Sequence, residues 1–526
     1  MQNSEAIQNN LLRQIILKNQ NTAFGQHYGF NHINTLAEFR ERVPLLDYED
    51  FQPYIESLSF AHQSSLTADP VLLFEPTSGS ASPTKLIPYT SGLKQEFQRA
   101  VNVWLYDVYR HYPGLLGTKS YWSVSPRNDG FAQTKSGIPV GFEHDSDYLG
   151  FSKVFLNHTF AVPGGVSCLR HIDNFWYCTG LFLLRCRALG LISVWNPTYL
   201  ELLTDAIEKY FPQLVKDVHD GTLTLPQDED SRHLLRYIYP DVKRAMSLEQ
   251  IHTRYSFDGG DFFTSVWPRL QLISCWDQGE SQKASRMLRK KIPRTDFQGK
   301  GLVATEGIIS IPWVKAGGCL PTYTSHFLEF LPEDSDCTKL VHELVKGCRY
   351  TPIITTSGGL YRYNMHDKIE VTGHFKGLPV MEFKGRDQVC DMVGEKLHEQ
   401  QVALAIDKVL SDKGVTALFT LFAPRQKDKQ WHYVFYLEPA VNDETAYTNV
   451  ADALDAELKN NFYYKHAREL GQLGRVCLFL IRRNGYGDYI KACCKQGQDL
   501  GSIKQVLMKT SGDWEVCFDG YSQKQK

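Results

Sequence analysis

Residues 75–90 read EPTSGSASPTKLIPYT, a stretch rich in hydroxyl side chains and glycine with a single lysine. Backbone amides near Gly79 are free of Cβ crowding, so phosphate oxygens can approach them closely. The side chains that add hydrogen-bond donors or positive charge are Thr77, Ser78, Ser80 and Lys85. This composition is typical of a loop that holds a polyphosphate, and it predicts ATP chemistry. An ordinary surface turn is the alternative, since Gly, Ser and Pro clusters usually mark loops.

Two carboxylates elsewhere fit the same chemistry. Glu306 follows the apolar run in LVATEGIIS, which predicts the end of a strand, where open α/β sheets keep their ligand crevice. It could hold Mg²⁺ against ATP phosphates, and an ordinary surface acid is the alternative. Asp367 follows a Gly-Gly turn in GGLYRYNMHDKIEV and could accept hydrogen bonds from two ribose hydroxyls. Its alternative is a turn or cap aspartate.

Three familiar patterns do not fit. No second glycine precedes Lys85 and no hydroxyl residue follows it, so a P-loop NTPase is excluded. GKGLVA at 299–304 matches Gly-x-Gly-x-x-Ala, but the strand follows the glycines where a dinucleotide fold needs it before them. RYNMHD contains a His–Asp neighbour pair, yet the chain has no Gly-x-Ser-x-Gly elbow to complete a hydrolase set.

The elements that must position these residues follow from the spacing of apolar side chains. Isoleucines and leucines at helical spacing after Ser4 predict an opening amphipathic helix. Apolar runs then alternate with helical stretches and predict an α/β domain with a partly parallel sheet. The strand runs are at 120–125, 189–195, 270–276 and 301–307, and a long helix is predicted at about 199–219.

After about Lys384 the pattern changes to adjacent strands, a helix and another strand. These lie at 416–424, 430–439, about 445–460 and 476–483. The fold class is therefore α/β, with a large N-terminal domain of mixed β-sheets and helices at 1–384. A smaller C-terminal α+β lid domain follows at 385–526, with a hinge at 384–399.

Composition excludes several other classes. The 526 residues carry a net charge of −2 and a pI near 6.8, so no global basic field favours nucleic acid. The N-terminus has no basic segment before an apolar core, and the apolar stretch 181–195 is broken by Arg185 and Arg187. The twelve cysteines contain no Cys-x-x-Cys pair, which predicts reduced thiols. We expect a cytoplasmic protein without membrane or nucleic-acid partners, and its oligomeric state stays open.

Together these motifs resemble the auxin-responsive acyl-acid amido synthetases, a branch of the acyl-adenylate-forming superfamily, and most of all bacterial-type members. The superfamily's phosphate loop reads Thr-Ser-Gly-Ser/Thr-x-Gly-x-x-Lys, and residues 77–85 fit it with Ser82 in place of a glycine. FRERVPLLDY at 39–48 is similar to the run that precedes this loop in the family. The likeness spans nearly the whole chain and continues in NPTYLELL, ARELGQLG and LGSIK.

The resemblance implies roles for further residues. Thr305 and Glu306 match the second motif, aromatic-x-Ser-Ser-Glu, and the third motif, Tyr-Arg-x-x-x-x-Asp, is matched through Tyr361 and Asp367. Arg386 could reach phosphate or ribose. The lysine that approaches the α-phosphate from the lid is Lys396 or Lys504, with Lys491 as a competitor. The departures from the plant motifs are Leu302, Ala304, Asn364 and His366.

The function that this resemblance implies is an ATP-dependent ligase. It would join a carboxylic acid to AMP, with Mg²⁺ on Glu306, and then pass the acyl group to an amine, most simply an amino acid. A carboxylate is a poor electrophile, and replacing its oxygen by AMP creates a good leaving group. The alternatives are an acyl-coenzyme A ligase that uses the same first step, and a non-catalytic nucleotide or small-acid binding protein.

Overall fold

The computed structural model describes most of the chain. The described residues are 4–60, 64–77, 85–123, 133–141, 159–277, 281–386, 389–427, 430–441, 447, 449–496, 498, 500, 503 and 505–523. They divide into two units, and the chain passes from the first to the second between Lys384 and Gly385. Each unit has a hydrophobic core of its own. That the second unit acts as a lid stays a prediction.

The first unit opens with the amphipathic helix that the sequence predicts, Ser4–Asn19, whose Leu12, Ile15 and Ile16 are buried. The helices that follow it are Ala23–His27, Leu36–Arg42 and Tyr48–Phe60. The second of these begins at a capping box, in which the Thr35 hydroxyl and the Glu38 carboxylate each accept the other's backbone N–H.

A hairpin and a long helix come next. Strands Val71–Pro76 and Leu86–Thr90 pair antiparallel, and the helix Ser91–His111 starts directly after the second strand. The Thr90 hydroxyl accepts the Leu93 N–H at 3.1 Å and so caps that helix. The hairpin therefore leads directly into a helix whose first turn is held in place by the Thr90 cap.

A four-stranded sheet is parallel throughout, which confirms the predicted parallel sheet. Its strands, in spatial order, are Lys119–Trp122, Leu189–Ser193, Leu272–Cys275 and Asp296–Gly299. The helices around it are Ile172–Arg185, Pro197–Asp220, Arg232–Leu235, Val242–Arg254, Asp261–Val266 and Ser281–Lys291. The long predicted helix begins at the Asn196 cap, with Pro197 in its first turn, and ends at Gly221, whose φ is 68°.

A seven-stranded sheet completes the first unit. Its strands are Ser310–Trp313, Gly318–Pro321, Phe327–Pro332, Arg349–Thr355, Tyr363–Asn364, Asp367–Phe375 and Leu378–Arg386. The run at 301–307 does not join the parallel sheet. It forms a separate hairpin of Val303–Ala304 and Gly307–Ile308, so the single strand predicted there is wrong. The parallel sheet already ends at Gly299, and the chain must reverse within the next few residues.

The second unit contains the predicted strands and helix. Its four-stranded sheet consists of Ala417–Lys427, Gln430–Pro439, Cys477–Ile481 and Gly520–Ser522. A two-stranded sheet pairs Val389–Cys390 with Leu397–His398. The helices are Glu399–Asp412, Val450–Leu458, Phe462–Glu469 and Gly485–Lys495. Within the described parts of both units, no helix combines the length and apolar character needed to cross a lipid bilayer.

Candidate active site

The hairpin brings the two ends of the predicted phosphate loop together. The Thr77 N–H donates to the Lys85 carbonyl at 2.8 Å, which closes the base of the loop between the two strands. The predicted phosphate ligands Ser78, Gly79 and Ser80 lie outside the described residues. The structure therefore shows the two ends of this loop, with Lys85 at one of them.

Tyr48 lies next to Lys85 and within the electrostatic range of Glu306. The Lys85 ammonium lies over the Tyr48 ring, 5.1 Å from its centre, and the Tyr48 hydroxyl accepts the Leu86 N–H at 2.8 Å. Burial raises the pKa of the Tyr48 phenol, and the negative charge of Glu306 adds to that increase. The lysine and the carboxylate that the sequence analysis selects therefore both lie near the Tyr48 side chain.

Glu306 occupies the turn of the hairpin Val303–Ala304 and Gly307–Ile308 rather than the end of a parallel strand. Its side chain is largely buried, at 7% exposure, and its Oε1 accepts the Tyr363 hydroxyl at 3.3 Å. Its Oε2 receives no hydrogen bond from any residue that the structure describes. The neighbouring Thr305 carbonyl accepts the Tyr89 hydroxyl at 2.7 Å, which fixes the turn against the phosphate-loop hairpin.

The buried imidazole of His326 supports the turn that carries Glu306. The Ile308 N–H donates to Nε2 of His326 at 3.1 Å, so the ring proton resides on Nδ1 and is donated to Glu96, also at 3.1 Å. The same carboxylate accepts the backbone N–H and the hydroxyl of Ser357. One neutral histidine and one glutamate thus connect the Glu306 turn to the Gly-Gly turn of the third motif.

The first two residues of the third motif face the interior. The Tyr361 hydroxyl donates to the Leu66 carbonyl at 2.6 Å, and its ring stacks on Phe24 at 4.6 Å. Burial raises the pKa of this phenol. Arg362 has a φ of 45° and donates to Glu329 at 3.0 Å. Tyr361 is fully buried, and its predicted contact with the nucleotide stays a prediction.

The run at 39–48 lies along the third motif. The Leu46 N–H donates to the Arg362 carbonyl at 3.1 Å, and the Asn364 N–H donates back to the Leu46 carbonyl at 2.8 Å. Asp367 begins the strand Asp367–Phe375 and is partly exposed. Its ribose contact stays a prediction. Close beside it, His366 pairs with Asp47 at 2.8 Å.

The predicted lid residues differ in how they are placed. Lys396 is exposed, has a φ of 42°, and lies over the Tyr463 ring at 5.2 Å from its centre. The buried Glu395 accepts the backbone N–H groups of the preceding turn and holds it in place. Arg386 ends a strand, and its side chain is outside the described parts, as is all of Lys504. Lys491 pairs with Asp488 at 3.1 Å.

The donor set around Glu306 fits a magnesium ion that is held mainly by phosphate. Within the described residues, no group of three or more His, Cys, Asp or Glu side chains could hold a metal ion. Mg²⁺ in nucleotide enzymes is commonly bound by one or two carboxylates together with substrate phosphates and water. A single buried carboxylate with one open oxygen is consistent with that arrangement.

Sequence reasoning missed four residues of this site. Tyr48 lay in the 39–48 run, and Tyr363 lay in the third motif, but neither was assigned chemistry. The His326–Glu96 pair joins residues 230 positions apart, and no local pattern signals it. The available signal was the family likeness of the 39–48 run, which pointed to Tyr48 without giving its role.

Comparison with solved structures shows which fold this chain has. The fold superposes with a TM-score of 0.82 on "AtGH3.15 acyl acid amido synthetase in complex with 2,4-DB", at 18% identity, covering 99% of this chain and 95% of that one. It superposes at 0.54 on a 2-hydroxyisobutyryl-CoA ligase in the postadenylation state, at 10% identity, covering 98% and 90%. The predicted α/β fold is confirmed, and it is the fold that these two enzymes share.

The family follows from the sequence models. The GH3 family N-terminal domain matches residues 1–297, the central domain 319–386 and the C-terminal domain 382–511. The chain belongs to the GH3 family. The predicted family is therefore confirmed, and with it the prediction of an enzyme that uses ATP to form an adenylate.

Named relatives are similar in sequence to this chain over most of their length. The 4-substituted benzoates-glutamate ligase GH3.12 of Arabidopsis thaliana is 23% identical over 549 residues, which cover 97% of this chain and 94% of that protein. The indole-3-acetic acid-amido synthetase GH3.8 of Oryza sativa subsp. indica is 23% identical, covering 95% and 88%. Both relatives are from plants, and the special likeness to bacterial-type members stays a prediction.

Proposed function

We propose that this chain adenylates a carboxylic acid with ATP, releases pyrophosphate, and then transfers the acyl group to an amine, most simply an amino acid. The observation that carries the proposal is the cluster of Lys85, Tyr48 and Glu306 beside the closed base of the phosphate loop. Membership of the GH3 family, with relatives named as ligases and amido synthetases, supports the amine as acceptor.

In the first step an oxygen of the acid attacks the α-phosphorus of ATP, and the bond from that phosphorus to pyrophosphate breaks. Lys85 and the donors of loop 77–85 hold the β- and γ-phosphates. Mg²⁺, when bound at Glu306, offsets phosphate charge. Asp367 holds the ribose, and Arg386 binds phosphate or ribose. Positioning and charge are the main contributions, as is general in phosphoryl transfer.

In the second step the amine nitrogen attacks the acyl carbon, AMP leaves with the bonding electron pair, and the nitrogen loses a proton. We assign the lysine that approaches the α-phosphate during the first, adenylating step to Lys396 or Lys504. The exposure of Lys396 supports the first of these, because its ammonium forms no ion pair with a carboxylate among the described residues.

The function is tested by supplying acids and acceptors. Aryl, indolyl and fatty acids are incubated with ATP, Mg²⁺ and hydroxylamine, and hydroxamates are identified by mass spectrometry. Active acids are then offered an amino acid mixture or coenzyme A. Amide products support the proposal. A thioester alone would indicate the acyl-coenzyme A ligase, and an absence of any hydroxamate would favour a binding protein.

The site is tested with Lys85→Met and Glu306→Gln. We expect each to lower kcat/KM for hydroxamate formation on the order of 100-fold, because each removes one preorganised charge from the phosphates. Glu306→Gln should also abolish the Mg²⁺ dependence of ATP binding in equilibrium dialysis. The exposed residues Lys346 and Glu333 provide matched controls as Lys346→Met and Glu333→Gln. Full activity in Glu306→Gln would reject its role.

A cytoplasmic location is part of the proposal. All twelve cysteines lie in described parts of the chain and are free thiols, as expected in a reducing compartment.

A further inference from the structure

The carboxyl ends of the parallel sheet carry a group of side chains that the proposed chemistry does not use. Ser193 ends one strand, Ser274 lies in the next, and Lys300 directly follows the edge strand Asp296–Gly299. Because parallel strands end at one edge, these three side chains come together there. That edge is where open α/β sheets bind ligands.

The Lys300 ammonium has hydroxyl and aromatic neighbours. It donates to the Ser193 hydroxyl at 2.9 Å and to the Ser274 hydroxyl at 3.4 Å. It also lies 5.1 Å from the ring centre of Trp195 and 5.4 Å from that of Trp104. An ammonium has three N–H donors, so one remains for a ligand after the two hydroxyls are served.

Lys300 forms no ion pair with a carboxylate in the described part of the chain. Asp277, on the loop after a neighbouring strand, pairs with Arg289 at 3.8 Å instead. Burial lowers the pKa of Lys300 to about 8, and among the described residues a charge interaction with the buried Cys275 thiol opposes this shift. A lysine ammonium that is largely removed from water is unusual unless an anionic group pairs with it. At neutral pH it remains mostly charged and is available to an acceptor.

Flat aromatic side chains surround this ammonium. Trp104 is fixed by donating its indole N–H to Gln298 at 2.8 Å, and it meets the edge of Trp122 at 5.5 Å. Trp195 packs against Trp276 at 5.6 Å. Aromatic walls with a few placed polar groups are typical of sites for small organic ligands. They favour a flat, apolar ligand body.

We propose that Lys300 selects acids whose flat, preferably aromatic, body carries a second anionic oxygen group at the end remote from the carboxylate that is adenylated. The inference rests on the proposed function and names its substrate class. Every described contact of Lys300 is with the parallel sheet, its following loops or Trp104, and none is with Tyr48, Tyr363 or Glu306. Because Lys300 contacts none of the residues that we place at the phosphates, we assign it to the remote end of the acid.

The test uses pairs of acids that differ only at the remote end. Benzoic, phenylacetic and 3-phenylpropanoic acids are compared with a para-carboxylate or a para-methyl group. For at least one pair, the unaltered enzyme should prefer the dicarboxylate in kcat/KM by about 30-fold or more, the effect expected of one charge-assisted hydrogen bond. Lys300→Met should remove that preference and favour the methyl acid. The control Lys290→Met, on an exposed helix face, should leave the ratio unchanged.

A binding measurement separates this inference from the proposed function. Each acid is titrated into the full chain without ATP, and the intrinsic tryptophan fluorescence is followed. Tighter binding of a dicarboxylate that Lys300→Met loses and Lys300→Arg retains supports the inference even if no acid is turned over.

Three results would overturn it. The unaltered protein could prefer the methyl acid in every pair, in binding and in turnover alike. Lys300→Met could leave the preference unchanged. Lys300→Met could also abolish turnover of both acids of each pair equally, which would place the lysine at the reacting carboxylate instead.

Discussion

Lys300 in the first unit and Lys509 in the second unit are both enclosed by aromatic rings, yet their surroundings differ in charge. Lys509 is 2% exposed and lies over Tyr489 at 5.3 Å and Trp514 at 5.4 Å. Burial lowers the pKa of its ammonium, and charge interactions with the Cys493 thiol and with Glu399 counteract this. Lys300 has two serine hydroxyls in place of such a glutamate.

The difference separates a structural lysine from one that is open to a ligand. Glu399 also accepts the backbone N–H groups of Leu507 and Met508, both at 3.1 Å, so the charge near Lys509 is part of the fold of the second unit. Both lysines have aromatic rings around the ammonium, so the rings alone do not distinguish a structural lysine from one that binds a ligand. Lys300 differs in that it forms no ion pair with a carboxylate of the described segments and in that it lies at the ends of parallel strands.

The largest expected effect is on stability, from Lys509→Met. Removing this ammonium leaves Glu399 without its nearby cation, and we expect the free energy of unfolding to fall by about 2–3 kcal/mol. Urea denaturation of the full chain, followed by circular dichroism, measures the change. The double variant Lys509→Met/Glu399→Gln should recover most of it, because the glutamine oxygen still accepts both backbone N–H groups. Lys300→Met should cause no such loss, and an equal loss would contradict the comparison.

A smaller effect concerns pH. The folded pKa of Lys300, about 8, is below its value of about 10.4 in an unfolded chain. The folded state therefore binds fewer protons between these values, and its stability rises with pH there. Below pH 8 the buried charge lowers stability, so Lys300→Met should be more stable than the unaltered protein by about 1–2 kcal/mol at pH 7.

The difference should shrink as the pH is raised from 8 to 10. Urea midpoints of both proteins at pH 7, 8.5 and 10 give the measurement. A difference that stays constant across this range would show that the Lys300 charge does not contribute to it.

The smallest effect distinguishes the two serines. Ser193→Ala removes the closer hydroxyl and Ser274→Ala the more distant one. Losing either acceptor makes the charged form of Lys300 less favourable, so the preference for the dicarboxylate should fall by about 5-fold and about 2-fold respectively. The acid pairs described for Lys300 give the ratio. Ser167→Ala, at a buried serine elsewhere, is the control, and a larger effect for Ser274→Ala would contradict the distances.

Local patterns predict the parts of this fold that local forces determine. The opening helix Ser4–Asn19 and the strands Ala417–Lys427 and Gln430–Pro439 follow from the periodicity of apolar side chains. The run at 301–307 was misread because its apolar residues are divided between two short strands, and a turn between them is not visible in periodicity.

The candidate site was only partly predictable, since proximity between distant segments is a property of the folded chain. Family likeness identified Lys85 and Glu306, but the Tyr48 side chain that lies near both became apparent only in the fold. Lys300 lay in GKGLVA, a pattern rejected as a dinucleotide motif, and nothing in those six letters indicated the two serines from other strands.

Leu46 forms backbone hydrogen bonds with Arg362 and Asn364, so the third motif is supported by a segment more than 300 residues earlier in the chain. Arg362 keeps its left-handed backbone with help from the Val43 carbonyl, which accepts its guanidinium at 2.7 Å. A shortened protein starting at residue 64 would retain all three motifs and satisfy any search for them. It would nevertheless lack the scaffold on which one of them is built, so an intact signature in a fragment is no guarantee of a working enzyme.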